Sequence, residues 1–560
     1  MSKNTSPYHE AGRILNELLS SKSGGRGLKS IAFSNSKTRG GPSKATYATV
    51  CKSMQHLPAI NSVLNHSGGR LRKAIGIDTV HNKGLMYVML YELLFGKYKS
   101  IRGGGRLKRM IVKHERELRE GVSEHREMVD GLTRATPQFP RYARVNVMRT
   151  SIEAMAEMLK ASFVENSTRE SNCGDSMNLK RSIFMDPHVP DLLVMHPSAS
   201  SFLHQDHDAV KSGKIVLQDK SSCFSALALA RGNPNISLNC DFIDACAAPG
   251  NKTTHLAALV AASLADVSRT TKKGKNLTQS STIFAFERSS SRFKTLKSRI
   301  DAIVPSSSLN KSSTKVVVQP LLSDFLKSDS KDPQFANVRG ILLDPSCSGS
   351  GIVNSLDRWL EDAETDGNKD DPTTGTKADR IKSLSNFQLV ALTHAMSFPS
   401  VDRIVYSTCS VNNEENELVV GKALSEVNKT INGSVGDEWI LVAPACLDHW
   451  PRRGNPEIGG LSKTQAQCLI RCDGLDGDET NGFFVSYFER KRVRSESEDA
   501  ERTGTSCSIV NDVKLPVYQG QFASIQETAP KTKHRLCQKN VNLMGRTHIV
   551  HLWTLQHVPP

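Results

Sequence analysis

The sequence reads Asp244-Ala-Cys-Ala-Ala-Pro-Gly-Asn-Lys-Thr-Thr254 between a short apolar run, Phe242–Asp244, and a helical pattern, His255–Leu264. Small residues in a turn from strand to helix let backbone N–H groups and the helix N-terminus approach a ligand at the carboxyl edge of a parallel sheet. An acidic residue, Glu287, ends the next apolar run, where a carboxylate can accept both hydroxyls of a ribose. The turn and the acid together predict a nucleoside site.

The surrounding sequence has the alternation of an α/β domain. Short apolar runs alternate with helical segments, which is typical of a parallel sheet with crossover helices. The predicted strands are Phe242–Asp244, Ile283–Phe286, Val316–Val318, Gly340–Leu343 and Arg403–Tyr406. Two polar stretches, Thr270–Ser281 and Glu361–Asp379, are predicted to be surface inserts. The sequence contains no Gly-x-Gly-x-x-Gly and no phosphate-loop pattern, so a nucleoside cofactor without a phosphate chain fits better than NAD or ATP.

Four further residues follow predicted strands at the same edge of the sheet. Asp324 and Asp344 would bring carboxylates to one crevice, although each could instead cap a helix or a turn. Cys347, in Pro-Ser-Cys-Ser-Gly, and Cys409, in Ser-Thr-Cys-Ser, stand in small polar turns. A structural cysteine more often lies inside an apolar run, so these two turns indicate reactive thiols.

The positive charge of the chain is concentrated near its N-terminus. The whole chain carries +16, residues 1–150 carry +17, and the remaining 410 residues carry −1. This distribution suits a polyanion-binding surface, or equally a solvated basic region. Val80–Gly96 is predicted to be a buried helix, and the cationic, glycine-rich loop after it could follow a phosphate backbone or be an exposed turn. The candidate RNA-binding residues of this loop are Arg102, Arg106, Lys108 and Arg109, with Arg141, Arg144 and Arg149 as the next candidates.

Several classes of protein fit the sequence poorly. A chain of 560 residues predicts more than one domain. Its 12 unevenly spaced cysteines do not form a disulfide framework, and Cys468 and Cys472 lack partners for zinc, so no metal is expected. Met1–Ser20 does not have the pattern of a secretory signal, and no apolar stretch reaches the ~20 residues that span a bilayer. We therefore expect a protein made in the cytosol, without a membrane partner.

Three motifs together resemble one enzyme family. They are Asp244-Ala-Cys-Ala-Ala-Pro-Gly-Asn-Lys-Thr253, Leu343-Asp-Pro-Ser-Cys-Ser-Gly-Ser-Gly351 and Val405-Tyr-Ser-Thr-Cys-Ser-Val-Asn-Asn-Glu-Glu-Asn-Glu417. Their order and spacing resemble the RsmB-type, or Sun-domain, RNA cytosine-5 methyltransferases. Many members have Asp-Ala-Pro-Cys at the second motif, and the Pro-Ser-Cys form resembles the subgroup that modifies large-subunit ribosomal RNA. The resemblance extends from about Tyr47 to Arg490 and excludes the two inserts and the tail.

The resemblance implies a fold and a division of the chain. The fold would be a Rossmann-like S-adenosylmethionine-dependent methyltransferase domain with a helical basic N-terminal domain. We predict a flexible basic segment over 1–46, a helical RNA-binding region over 47–139, a small α/β RNA-binding subdomain over 140–235, the methyltransferase domain over 236–490 and a disordered tail over 491–560. The tail opens with Lys491, Arg492 and Arg494, which match a weak nuclear signal. We expect a monomer in the nucleus, specifically the nucleolus, with ribosomal RNA or a pre-ribosome as partner.

The resemblance also implies site residues. Cys409 would attack C6 of cytosine, Cys347 would assist product release, and Asp344 and Lys252 would act on the base or on a thiol pKa. The cofactor S-adenosylmethionine would be held by Cys246, Ala247, Ala248, Pro249, Gly250, Asn251, Lys252, Glu287, Arg292, Asp324 and Asp344. Three alternatives stay open: a non-catalytic ribosome-assembly factor, a methyltransferase of another RNA such as tRNA, and a DNA cytosine methyltransferase.

Overall fold

The computed structural model describes residues 7–19, 31–32, 42–124, 139–167, 182–270, 279–305, 314–353, 377–431 and 437–492. The tail beyond Arg492, including Arg494, and most of the two predicted polar inserts lie outside these ranges. No helix within the described ranges is both long and apolar enough to cross a membrane.

The N-terminal part is a bundle of helices. Its members are α1 (Pro7–Leu18), α2 (Lys44–Gln55), α3 (Leu57–Ile75), α4 (Lys83–Leu94), α5 (Arg106–Val112) and α6 (Glu115–Glu124). Helix α4 is apolar on all sides and buries nine of its twelve residues, which confirms the helix predicted over Val80–Gly96. Its neighbours therefore surround it rather than cover a single face.

Helix α1 corrects the expectation that residues 1–46 are uniformly flexible. Ala11, Ile14 and Leu15 of this helix are fully buried in the core that contains α4. The two helices approach closely at glycine: a Cβ on Gly84 would lie 2.2 Å from the backbone nitrogen of Asn16. The apolar residues of α1 recur at helical spacing. The spacing alone does not show that this apolar face is buried, because α4, which covers it, is separate in the sequence.

A small antiparallel sheet follows the helical bundle. Its strands are β1 (Arg141–Val145), β2 (Ile183–Met185), β3 (Leu192–Met195) and β4 (Ile215–Val216), in the order β2-β3-β1-β4. Helices α7 (Ile152–Ser167) and α8 (Asp208–Lys211) lie between these strands in the sequence. Met155 and Leu159 of α7 pack with Ala143, Val145 and Leu193 in a separate small core.

The large domain is built on an eight-stranded sheet. Its strands are β5 (Asp241–Asp244), β6 (Gln279–Phe286), β7 (Thr314–Leu321), β8 (Val338–Leu343), β9 (Arg403–Thr408), β10 (Glu438–Leu441), β11 (Ile470–Cys472) and β12 (Phe483–Lys491). The path of the sheet is β10-β12-β9-β8-β5-β6-β7, and β11 pairs with β12. Strands β7, β6, β5, β8 and β9 pair with one another in parallel, and β12 pairs with β9 in antiparallel fashion. All five predicted strands are confirmed.

Helices cover both faces of the large sheet. They are α9 (Lys220–Arg231), α10 (Asn251–Thr270), α11 (Ser290–Ile303), α12 (Lys377–Met396), α13 (Glu417–Ile431) and the short α14 (Lys463–Gln467). Phe242 packs with α9 and α10 on one face, and its neighbour Ile243 packs with α12 and α13 on the other. Burial on both faces explains why the strands read as continuous apolar runs. Strand β6 begins at Gln279 and α12 at Lys377, so the last residues of each predicted insert belong to regular secondary structure.

Candidate active site

The turn after β5 is held open by glycine and by a buried acid. Gly250 has a φ of +106°, and a Cβ there would lie 3.1 Å from Leu296 Cδ1, so this position requires glycine. Thr253 Oγ1 donates to Asp244 Oδ2 over 2.7 Å, which ties the start of α10 to the end of β5. Burial raises the pKa of Asp244 to about 7. The buried Asp244 carboxylate therefore stabilises the turn and is not part of the cavity wall.

A cavity of about 270 Å³ lies at the carboxyl edge of the sheet. It collects residues from the turns after β5, β6, β7, β8 and β9. The predicted site residues that line it are Cys246, Ala248, Glu287, Arg292, Asp324, Asp344, Cys347 and Cys409. The wall does not include Ala247, Pro249, Gly250, Asn251 or Lys252, which belong to the same turn. Parallel strands thus bring residues as far apart in the sequence as Ala245 and Cys409 to one cavity.

Two carboxylates of the cavity wall are oriented by local hydrogen bonds. Glu287 is buried and accepts a hydrogen bond from the Ser289 backbone N–H over 2.7 Å. Arg292 lies 3.5 Å from Glu287 Oε2 and also donates to the carbonyl of Ala248 over 2.6 Å. Asp324 accepts from the backbone N–H of Leu326 over 3.1 Å, so it does cap a short turn while it also lines the cavity. The two alternatives predicted for Asp324, a cap of a turn and a carboxylate in the crevice, are therefore compatible.

The two cysteines are in contact. Cys347 Sγ and Cys409 Sγ are 2.7 Å apart, both are free thiols, and both line the cavity. A hydrogen bond from Cys347 lowers the pKa of the Cys409 thiol, although burial opposes this shift. The same hydrogen bond, together with burial, raises the pKa of Cys347 well above its ordinary value. Of the two thiols, Cys409 is therefore the one whose ionised form is favoured.

A partly buried ion pair lies beside the thiols. Lys252 Nζ is 2.8 Å from Asp344 Oδ2, and Ser407 Oγ donates to Asp344 Oδ1 over 2.9 Å. Burial disfavours the charge on Lys252, but the Asp344 carboxylate outweighs it and raises the pKa of the lysine. The ammonium group in turn acts to lower the pKa of Cys409, and Asp344 acts to raise it. The pair therefore places charges of both signs close to Cys409.

Sequence reasoning missed part of the cavity wall. Arg288 lies with its guanidinium 5.6 Å from the ring centre of Phe387, and both residues line the cavity. Arg288 directly follows Glu287, so its place in the sequence could have suggested it. Phe387 lies on α12, whose apolar residues are equally consistent with core packing, and no local pattern distinguishes it.

The structure separates the candidate RNA-binding cations into exposed and internal groups. Arg102, Arg106 and Arg109 are exposed. Lys108 instead donates to the carbonyls of Ile101 and Gly103, and α5 begins at Arg106, so the predicted flexible loop is half helical.

Arg144 was predicted to bind RNA, and that prediction is wrong because the side chain is fully buried. It donates to Gln218 Oε1 over 2.9 Å and to Thr254 Oγ1 over 3.1 Å, and so joins the small sheet to α10. Arg149 donates to the carbonyls of Ile303 and Ala302. Arg141 is partly buried and donates to the carbonyl of Leu203, and its role in RNA binding stays a prediction.

Comparison with known proteins identifies the family. Residues 235–435 match the sequence model of the 16S rRNA methyltransferase RsmB/F, residues 139–218 the ferredoxin-like domain of NOL1/NOP2/Sun domain family member 5, and residues 44–126 the N-terminal domain of that member. A 25S rRNA (cytosine-C(5))-methyltransferase of Schizosaccharomyces pombe is 31% identical over 86% of this chain and 90% of its own length. The chain belongs to the RsmB/F-type, NOL1/NOP2/Sun-domain methyltransferase family.

Two further relatives of this family align over most of the chain. A 28S rRNA (cytosine-C(5))-methyltransferase of Mus musculus is 33% identical over 80% of this chain and 85% of its own length. A 25S rRNA (cytosine-C(5))-methyltransferase of Arabidopsis thaliana is 31% identical over 86% of this chain and 71% of its own length. Membership of this methyltransferase family confirms the resemblance and the predicted fold class.

The thiol contact generates a titration prediction. Cys347→Ala removes the hydrogen bond that stabilises the Cys409 thiolate, so the pKa of Cys409 should rise. The rate of Cys409 alkylation by iodoacetamide, followed peptide by peptide with mass spectrometry as a function of pH, should shift to higher pH. Cys51, in the helical bundle, is the internal control, and its profile should not move. An unchanged Cys409 profile would mean that the thiol pair does not set its ionisation.

Proposed function

We propose that the protein transfers a methyl group from S-adenosylmethionine to C5 of a cytosine in large-subunit ribosomal RNA, through a covalent bond between Cys409 and C6. One observation carries this proposal. A single cavity is lined by Glu287 and Asp324, which suit a nucleoside cofactor, and by the contacting thiols Cys347 and Cys409. The residues that would bind the cofactor and the cysteine that would act as nucleophile therefore line the same cavity.

The residues of the cavity suit S-adenosylmethionine. Glu287 is a buried carboxylate at the end of β6, where it can accept hydrogen bonds from both ribose hydroxyls. Asp324 is an acceptor near the next strand end, and the Phe387 ring offers an apolar face. Arg292 fixes Glu287 and the backbone at Ala248, so we assign it to the shape of the site.

The proposed chemistry follows from the weak nucleophilicity of cytosine C5. Attack of the Cys409 thiolate on C6 forms a C–S bond and moves electron density onto C5. S-adenosylmethionine supplies the methyl group when it is bound. A base then removes the C5 proton, and the electron pair of that C–H bond re-forms the C5–C6 double bond and expels the Cys409 thiolate. We assign Cys347, which is adjacent to Cys409 and has a raised pKa, to this release.

Asp344 and Lys252 would handle the base during attack. Asp344 lies at the wall that carries both thiols and pairs with the Lys252 ammonium group, so its carboxylate can hold the edge of the base, or protonate it with a proton drawn from Lys252. Lys252 lies 5.2 Å above the ring of Phe483, which fixes its ammonium group next to Asp344. The target base must be single-stranded or flipped out of a helix to reach this cavity.

The relatives favour large-subunit ribosomal RNA over the alternatives. The proteins from Schizosaccharomyces pombe, Mus musculus and Arabidopsis thaliana are all named for 25S or 28S rRNA. A non-catalytic assembly factor would not need two contacting thiols in a cofactor cavity. The family models that match the helical bundle and the small sheet name the same family member. A DNA cytosine methyltransferase or a tRNA enzyme would not explain why both of these domains are present. A ribosomal RNA substrate would place the protein in the nucleolus, and we propose that it acts there as a monomer.

The exposed cations of the helical bundle are the proposed RNA-docking surface. Between Leu93 and His114 the chain has seven Lys and Arg residues and no Asp or Glu. Tyr98 is 60% exposed, with Arg102 4.7 Å and Lys97 5.6 Å from its ring centre. Exposed aromatic rings among cations suit a single strand, whose bases stack while its phosphates are neutralised.

The assignment of the thiols can be tested with two variants. Cys409→Ala should abolish methyl transfer from labelled S-adenosylmethionine to large-subunit rRNA, because no thiolate can add to C6. Cys347→Ala should instead accumulate a covalent protein–RNA adduct, visible on a denaturing gel, because release is impaired. An adduct with Cys409→Ala but not with Cys347→Ala would exchange the two roles. Methylation of tRNA or duplex DNA in place of rRNA would overturn the substrate.

Cofactor recognition can be measured without RNA. Glu287→Ala should weaken S-adenosylmethionine binding by about 1.5–3 kcal/mol, the scale of hydrogen bonds to a charged group. Isothermal titration calorimetry gives the affinity, and Glu153→Ala, which removes an exposed carboxylate from α7, is the matched control. If the Glu287 and Glu153 variants bind S-adenosylmethionine with equal affinity, Glu287 does no more than cap the following turn.

RNA docking should be separable from chemistry. Replacement of Arg102, Arg106 and Arg109 with alanine should weaken RNA binding and lower the salt slope by roughly 0.7 for each lost phosphate contact with a single strand. Cofactor affinity should not change. The control replaces three exposed lysines elsewhere, Lys315, Lys331 and Lys463. A wild-type salt slope in the arginine variant would show that RNA docks on another surface.

A further inference from the structure

The two reactive cysteines share a feature that the mechanism does not use: each is followed by a serine, in Cys347-Ser348 and in Cys409-Ser410. Both serine hydroxyls donate to the same oxygen of Glu415. Ser348 Oγ is 2.5 Å and Ser410 Oγ is 2.6 Å from Glu415 Oε2. One carboxylate therefore joins the turn after β8 to the turn after β9, directly beside the two thiols.

The remaining contacts of Glu415 reinforce this junction. The Ser348 backbone N–H donates to Glu415 Oε1 over 2.8 Å, and Gln388 Nε2 of α12 donates to the same oxygen over 3.1 Å. Asn412 Nδ2 donates to Oε2 over 3.1 Å. Gln388 also donates to the carbonyl of Ser346, so the turn that carries Cys347 is held on both sides of the cysteine.

Glu415 is a buried anion that is stabilised by hydrogen bonds. Burial alone would raise its pKa, but the donors from Ser348, Ser410 and Gln388 outweigh burial and lower it. Among the residues that the structure describes, no Lys or Arg forms a salt bridge with Glu415. An ionised carboxylate only accepts hydrogen bonds, so all five donors can point at it at once.

Glu415 is placed to act on the thiols without touching the cofactor. The cavity wall includes Cys347 and Cys409 but not Glu415. A hydrogen bond between thiols is short-ranged, and the 2.7 Å contact exists only while both turns keep their relative position. The backbone N–H of Gly351 donates to the carbonyl of Cys409 and adds a second link between the turns.

We propose that Glu415 is a positioning residue that holds the turns of Cys347 and Cys409 in register, so that the two thiols keep their contact. The control of the thiol pair stands on the structure alone. Its consequence for methyl transfer rests on the proposed function. Glu415 acts through Ser348 and Ser410, and it contacts neither the base nor the cofactor in this scheme.

The test compares Glu415→Gln with Glu414→Gln. Glutamine has nearly the same shape but replaces one acceptor oxygen with a donor NH₂, which cannot receive the N–H of Ser348 or Asn412. Glu414 is the adjacent, exposed glutamate and is the matched control. The first readout is the pH dependence of Cys409 alkylation by iodoacetamide in the full-length protein, which requires neither RNA nor cofactor.

The direction in which the pKa of Cys409 shifts distinguishes the two explanations. Loss of the register should raise the pKa of Cys409 and move its alkylation profile to higher pH in Glu415→Gln only. Removal of a nearby negative charge without any movement would lower that pKa instead, so the direction of the shift separates positioning from simple electrostatics. A Cys409 profile that stays at the wild-type pH, or moves to lower pH, overturns the proposal.

Kinetics provide the second readout. In Glu415→Gln, kcat for RNA methylation should fall by about 10²-fold, the scale of a misplaced reacting group, while KM for S-adenosylmethionine stays unchanged. A variant that loses cofactor affinity together with kcat would indicate a general structural defect and contradict the positioning role. If the wild-type protein itself methylates no RNA, the proposed function fails, whereas the alkylation profile still decides the role of Glu415.

A second variant keeps the test usable if Glu415→Gln does not fold. Combined Ser348→Ala and Ser410→Ala leaves the carboxylate in place and removes the two hydroxyls that connect it to the cysteines. The alkylation profile of Cys409 should again shift to higher pH. An unchanged profile in a folded double variant would show that the serine contacts do not control the thiols.

Discussion

The arrangement of the active site depends on the pairing of parallel strands in which β8 lies between β5 and β9. Parallel strands end at the same edge of a sheet, so the turns that follow β5, β8 and β9 meet whatever their separation along the chain. The turns that carry Cys246, Cys347 and Cys409 become neighbours for this reason. Backbone hydrogen bonds of the sheet fix the spacing, and side chains then refine it.

The ionisable side chains of this site are stabilised by neighbouring side chains rather than by solvent. Lys252 is paired with Asp344, Cys409 receives a hydrogen bond from Cys347, and Glu415 is surrounded by donors. Each contact stabilises one ionised form in a partly or fully buried setting, where an unpaired charge would shift its pKa. The contact between the thiols lowers the pKa of Cys409 in the structure without any substrate group.

Docking and chemistry are assigned to different parts of the chain. The exposed arginines belong to the helical bundle, and the thiols belong to the large sheet. The small sheet is joined to the large domain by Arg144, whose contacts reach Thr254 in the first turn of α10. A cation that composition assigned to RNA therefore has a structural role, and a count of basic residues overstates the RNA-binding surface.

The sequence by itself determined the five parallel strands, the turns that follow them and the residue types in those turns. These features are local, and strand ends align by the geometry of any parallel sheet. Only the tertiary structure decided that α1 is buried, that Arg144 is internal, and that Phe387 and Glu415 reach the site. Amphipathic helices, arginines and carboxylates look alike in a sequence whether they face solvent or a partner. Which of the two they face is set by long-range packing, and no local pattern records it.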